Sequence, residues 1–291
     1  MRLGALEAGG TKMVCAIGDE KGHIFERISL PTLTPADCVP EMIEYFSQNN
    51  IDALGIGSFG PIDLNPSSSA YGYITSTPKK AWTNYNLVGN FRKRLSCPIA
   101  FDTDTNAAAL GEASFGITKG LDASMYITIG TGIGVGIFVE NRLLHGMLHP
   151  EAGHILLAKH PSDTYKGKCP FHSNCFEGLA SGPAIEERFG AKADTLSDRE
   201  DVWELEAFYI AQALVNYTLT VSPKRIVLGG GVMHQKQLFP LIRAQFTKMM
   251  NGYIKTKELK DMDYFIVPSS LKDNQGILGC FKLAEEAALK G

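Results

Sequence analysis

Apolar positions divide the chain into short segments of two periods. Residues 3–7 and 13–17 are apolar runs of strand length on either side of Ala8, Gly9, Gly10, Thr11 and Lys12, a pattern that predicts a hairpin with a glycine-rich tip. Residues 23–30 continue as a third strand. Between residues 36 and 49, Val39, Ile43 and Phe46 recur at helical spacing, and residues 53–58 form a short buried strand ahead of Gly60 and Pro61. Residues 98–101 predict another strand, and the alanine-rich run at 106–115 predicts a helix, so Asp104 falls where a strand hands over to a helix N-terminus.

The second half repeats this layout. Residues 125–129 and 134–139 are apolar with GTGI between them, so YITIGTGIGVGIFV echoes ALEAGGTKMVCAIG. Repetition of a strand, glycine turn, strand unit predicts two lobes on one plan, residues 1–115 and 116–273, with a closing helix over 274–290 packing back on the first. Helices are expected over 183–189, 198–221 and 238–250, and strands over 225–228 and 264–267. Strands followed by helix and strand in alternation make this an α/β layered protein. The polar stretch 65–86, which carries Trp82, reads either as a loop beside a substrate or as a surface excursion.

Composition narrows the partners. At 291 residues, 44% hydrophobic and 20% charged, the chain can bury a sizeable core and does not read as disordered. A net charge of −3 with dispersed Lys and Arg leaves no electrostatic footprint for nucleic acid or an anionic membrane, so small-molecule partners are expected. Neither an apolar leader nor a run of membrane-spanning length is present, which predicts a cytoplasmic protein. Its six cysteines are mostly isolated in apolar surroundings and read as reduced.

Chemistry concentrates in residues 145–177. There His154, Cys169, His172 and Cys175 follow the order H-x14-C-x2-H-x2-C, a spacing that lets one loop present imidazole and thiolate to a tetrahedral Zn²⁺. Four protein ligands close such a site, so the zinc is structural, and Glu151 and Glu177 flank it. Gly9-Gly10-Thr11 and Gly130-Thr131-Gly132 offer unobstructed N–H groups and a hydroxyl, and Gly229-Gly230-Gly231 follows a strand; together they predict nucleotide phosphate binding. No Walker loop is present, and turns that lead into strands disfavour a Rossmann site. Asp104 reads either as an N-cap alone or as a base that takes a hydroxyl proton during phosphoryl transfer, with Asp102 as its competitor.

Taken together, EAGGTK at 7–12, SFGPID at 58–63, DTDTNAAALGE at 102–112, the IGTGIGVG loop, HPEAGH at 149–154 and the run from Cys169 to Glu177 resemble the ROK sugar kinases, and within them the bacterial fructokinases. The resemblance covers essentially the whole chain. It implies a two-lobed actin-like (ribonuclease H-like) ATPase fold with a structural zinc loop, and Asp104 as general base. It further implies sugar contacts from Thr103, Asp104, Glu151, His154 and Glu177, and ATP contacts from Gly9, Gly10, Thr11, Lys12, Thr131, Gly132, Pro183, Gly229, Gly230 and Gly231. Mg²⁺ with ATP and a homodimer are expected on the same ground. Three positions depart from the commonest family pattern: Glu7 stands for Asp, Thr103 for the Asn of glucose-specific members, and His172 for a zinc-binding Cys. The implied activity is ATP-dependent phosphorylation of a free hexose, fructose to fructose 6-phosphate, with another hexose or an N-acetylated sugar as the alternative. A sugar-responsive regulator of the same fold is the alternative outside enzymes.

Overall fold

The computed structural model describes residues 1–290, which form two compact units. The first comprises Met1–Gly120, Arg142–Pro150 and the residues from Ser270 onward; the second comprises Leu121–Asn141 and Glu151–Ser269. Residues 142–150, assigned to the second lobe from sequence, pack with the first unit.

In the first unit, strands β1 (Leu3–Ala8), β2 (Lys12–Gly18) and β3 (Ile24–Pro31) form an antiparallel meander. Helix α1 (Pro35–Gln48) crosses to β4 (Ala53–Ser58), which pairs parallel with β1. The polar stretch that follows holds a two-strand pair, β5 (Tyr73–Ile74) with β6 (Tyr85–Asn86), and Trp82 between them is buried against Phe59 and Tyr85. A short helix that the pattern did not predict, α2 (Leu87–Arg92), leads towards β7 (Ile99–Thr103). The sheet order is β3-β2-β1-β4-β7. Helix α3 (Asp104–Phe115) starts two residues earlier than its alanine run predicts. The two-residue strand β10 (Arg142–Leu143) lies against α3.

The second unit opens with the antiparallel pair β8 (Ala123–Ile129) and β9 (Ile133–Val139). Short helices α4 (Phe176–Ala180) and α5 (Gly182–Phe189) precede the long α6 (Glu200–Val221). Strand β11 (Ile226–Gly229) pairs parallel with β8, and α7 (Leu238–Met250) follows. The strand expected over 264–267 is instead a one-turn helix, α8 (Met262–Phe265), running into β12 (Ile266–Pro268). Asp261 accepts from the Tyr264 amide and so caps that turn. Strands β9, β8, β11 and β12 follow one another in that order, with β12 parallel to β11, so both units carry the actin-like arrangement of an antiparallel pair extended by parallel strands. A core that includes Trp203, Tyr209, Phe176 and Phe246 sits between this sheet and helices α4, α6 and α7.

Helix α9 (Gln275–Lys290) returns to the first unit and packs on α3, β4 and β1. The approach is backbone to backbone. A Cβ on Gly279 would stand 1.6 Å from the Ala107 carbonyl oxygen, and one on Gly111 would stand 2.1 Å from that of Gln275. Glycine is required on both helices for this contact, and it holds the start of α3 firmly against the sheet.

Candidate active site and metal centre

In the first unit the β1–β2 turn is closed by the Gly9 amide donating to the Lys12 carbonyl at 3.0 Å. Thr32 pins it from the side, donating its hydroxyl to the Gly9 carbonyl and its amide to that of Thr11. Gly10, Thr11 and Lys12 are left exposed at the tip. Lys79, from the polar stretch, lies against Gly10, a neighbour that spacing alone could not reveal.

At the ends of β1 and β7 three acids have separate fates. Thr103 caps α3, its hydroxyl accepting from the Asn106 amide at 3.0 Å, so the capping reading of Asp104 is not what the structure shows. Asp104 is the first helical residue and accepts from the Thr105 amide at 2.8 Å, held at the positive end of the helix dipole. Asp102 is buried and saturated: it accepts from the Thr103 amide at 2.7 Å, from Asn106 Nδ2 at 2.7 Å and from His145 Nε2 at 2.8 Å. Of the two candidate bases, Asp104 is the one not sealed in the interior. The third acid, Glu7, is pushed up to about 7, first by burial and then by the negative charge of Asp104. The Asp102–His145–Asn106 group was missed from sequence; an aspartate inside a strand, which must find donors once buried, was the available signal.

In the second unit, antiparallel backbone pairing folds the cysteine loop. Phe176 N donates to Ile155 O and Leu157 N to Asn174 O, which brings residue 154 beside residue 175. The ligand atoms of His154, Cys169, His172 and Cys175 all lie within 4.8 Å of one another. Cys169 Sγ stands 3.8 Å from His154 Nδ1 and 3.7 Å from His172 Nδ1, and Cys175 Sγ stands 3.6 Å from His154 Nδ1. Bond lengths of about 2.3 Å to sulfur and 2.0 Å to nitrogen give a tetrahedral edge of about 3.6 Å, so these four residues fit Zn²⁺. Burial pushes the Cys175 thiol up to about 12, so a cation is needed to hold it as thiolate.

His154 turns Nδ1 to the cysteines and Nε2 towards Glu177, 3.9 Å from its Oε1. Glu177 Oε2 accepts from the Ile133 amide at 2.9 Å, which fixes the carboxylate to the start of β9. Glu151 is exposed just ahead of the single turn, Ala152–His154, that presents His154. The nucleotide candidates of this unit also converge. Gly182 N donates to Gly130 O at 2.8 Å, placing the N-terminus of α5 with Pro183 against the turn that holds Thr131 and Gly132. A Cβ on Gly130 would lie 3.7 Å from the Gly231 amide. Gly230, with φ of 89°, makes the left-handed bend between β11 and the following turn.

Comparison with known proteins places these features in context. The model of the ROK family matches residues 3–287. A putative fructokinase from Bacillus subtilis is 54% identical over 286 residues, covering 98% of this chain and 96% of the relative. A fructokinase from Pediococcus pentosaceus is 46% identical over 290 residues, covering 100% and 99%. Among solved structures, a ROK family glucokinase from Streptomyces griseus, in complex with glucose and AMPPNP, superposes with a TM-score of 0.75 at 22% identity, covering 98% of this chain and 100% of that one.

Proposed function

Since the chain belongs to the ROK family, we propose that it is an ATP-dependent sugar kinase that phosphorylates a free hexose, with fructose as its substrate. One observation carries the catalytic part: Asp104 begins α3 relieved of capping by Thr103, while the neighbouring Asp102 is saturated by three donors. The choice of fructose rests on the relatives named fructokinase, and that of ATP on the glucokinase of this fold solved with AMPPNP.

Roles divide between the units. In the first, Asp104 accepts the proton of the sugar hydroxyl as its oxygen attacks the γ-phosphorus, Thr103 lies beside the same sugar, and Gly9, Gly10, Thr11 and Lys12 meet phosphate oxygens. In the second, Glu151, His154 and Glu177 orient sugar hydroxyls, and Thr131, Gly132, Pro183 and Gly229 to Gly231 hold the nucleotide. Glu7, a carboxylate pushed up first by burial and then by its neighbour Asp104, would be the group suited to meet the Mg²⁺ that accompanies ATP, which would neutralise phosphate charge. Zn²⁺ on His154, Cys169, His172 and Cys175 supplies rigidity alone, since protein atoms fill all four positions. A cytoplasmic homodimer completes the reading. Among the described residues no helix is long and apolar enough to cross a membrane.

A coupled ADP-release assay across fructose, mannose, glucose and their N-acetyl relatives tests the proposal. Fructose is expected to give the highest kcat/KM; a higher value for glucose overturns the substrate, and turnover with none overturns the kinase. Asp104→Asn is expected to lower kcat by roughly 10³-fold with sugar binding retained.

A further inference from the structure

The β7–α3 junction of the first unit holds a polar group that phosphoryl transfer, as described, leaves unused. His145 Nε2 donates to Asp102 Oδ2 at 2.8 Å across a separation of 43 residues, and Asn106 Nδ2 and the Thr103 amide bind the other carboxylate oxygen. Asp102 is 3% exposed, whereas the His145 side chain is 40% exposed. Among the described residues Nδ1 of His145 makes no hydrogen bond. The ring is therefore held at one nitrogen by the buried, saturated carboxylate of Asp102, which lies two residues before Asp104, while the other nitrogen of this partly exposed side chain is left to a partner from outside.

Satisfying Asp102 accounts for one nitrogen of the ring only. The two donors from its own segment bind Oδ1 and His145 Nε2 serves Oδ2, but neither contact uses Nδ1, and a ring left 40% in solvent gains little from burial. A histidine fixed through one nitrogen by a carboxylate has its tautomer and orientation set for a partner at the other. We infer that His145 is a sugar-binding and hexose-selecting residue, its Nδ1 hydrogen-bonded to a hydroxyl of the acceptor sugar. The inference rests on the sugar kinase reading above. Hexoses differ in where their hydroxyls stand, and one immobile polar atom discriminates among them in a way that a mobile side chain does not.

Two substitutions separate the ring's two nitrogens. His145→Gln keeps a donor near the position of Nε2 and removes Nδ1; His145→Asn keeps a polar group near Nδ1 and gives up the bond to Asp102. For His145→Gln we expect the fructose KM to rise about tenfold, the ratio of kcat/KM for fructose over mannose to fall, and the ATP KM and Tm to stay within twofold and a few degrees of the parent. His145→Asn should retain more fructose affinity than His145→Gln and show the lower Tm. Calorimetric titration of fructose into the same proteins reads binding independently of turnover. Unchanged fructose affinity and sugar preference in His145→Gln overturn the inference. Absence of turnover by the parent protein with every sugar would instead overturn the kinase reading, and the calorimetric comparison would still decide the role of His145.

Discussion

A carboxylate's behaviour follows from the donors around it, and the first unit shows two extremes. Asp102 has three donors and no exposure to speak of, whereas Glu7 is raised to about 7 by burial and by Asp104, with Lys12 and Arg27 only partly offsetting the shift. Because the folded pKa of Glu7 lies above the ordinary 4.5, the folded protein holds more protons than the unfolded chain, and its stability falls as pH rises from about 4.5 through 7. At about 1.4 kcal/mol per unit, the penalty above pH 7 reaches about 3 kcal/mol at most. Glu7→Gln should therefore stabilise the protein at pH 8 but not near pH 4.5, and urea unfolding at the two pH values measures the difference. A gap that does not widen with pH would show that the Glu7 carboxyl is not held back from ionising. Spacing left Asp102 and Asp104 as rivals for the base, and only the family resemblance favoured Asp104, because spacing carries no information about donors. It could not anticipate that residue 145 folds onto residue 102, and that contact, with the hydroxyl of Thr103, is what distinguishes them.

Among elements, the regular ones were legible and the closely approaching ones were not. Periodicity placed α1, α6, α7 and α9 to within about two residues. Helix α2 escaped because its six residues are too few to establish a helical period, and α8 because one turn ending in a β-like run reads as strand throughout. Glycine is a weak helix former, yet the glycines of α3 and α9 are where the two backbones touch. Gly279→Ala tests that contact: a methyl group 1.6 Å from the Ala107 carbonyl oxygen forces the helices apart. We expect a loss of about 3 kcal/mol or more, read as a fall in Tm of roughly 6–12 °C, with α3 and Asp104 displaced and kcat reduced as well. A variant with parental Tm would mean that α9 can slide without loss.

Across the molecule one topology is secured by helix α9 interlocked with α3 in the first unit and, on the zinc reading proposed above, by the loop of His154, Cys169, His172 and Cys175 in the second. The repeated glycine hairpins made the shared plan readable, and the H-x14-C-x2-H-x2-C order made the loop readable, because both are local in sequence. Removal of zinc should act on stability and sugar affinity together, since His154 offers one nitrogen to the cysteines and the other towards Glu177. A chelated, verifiably zinc-free protein is expected to lose roughly 5 °C or more in Tm and to show about a tenfold higher sugar KM, measured by thermal unfolding and steady-state kinetics. Unchanged sugar affinity in such a protein would separate the metal from the substrate. The placement of α9 also imposes a timetable on the ribosome. Residues 1–120 emerge first, but the helix that covers β1, β4 and α3 is translated after residue 274, so the earlier-made half waits with that face open while the later-made half, nearly continuous in sequence, can close. During synthesis the N-terminal sheet is thus the surface left uncovered longest, and slow translation of the middle of the message prolongs its exposure.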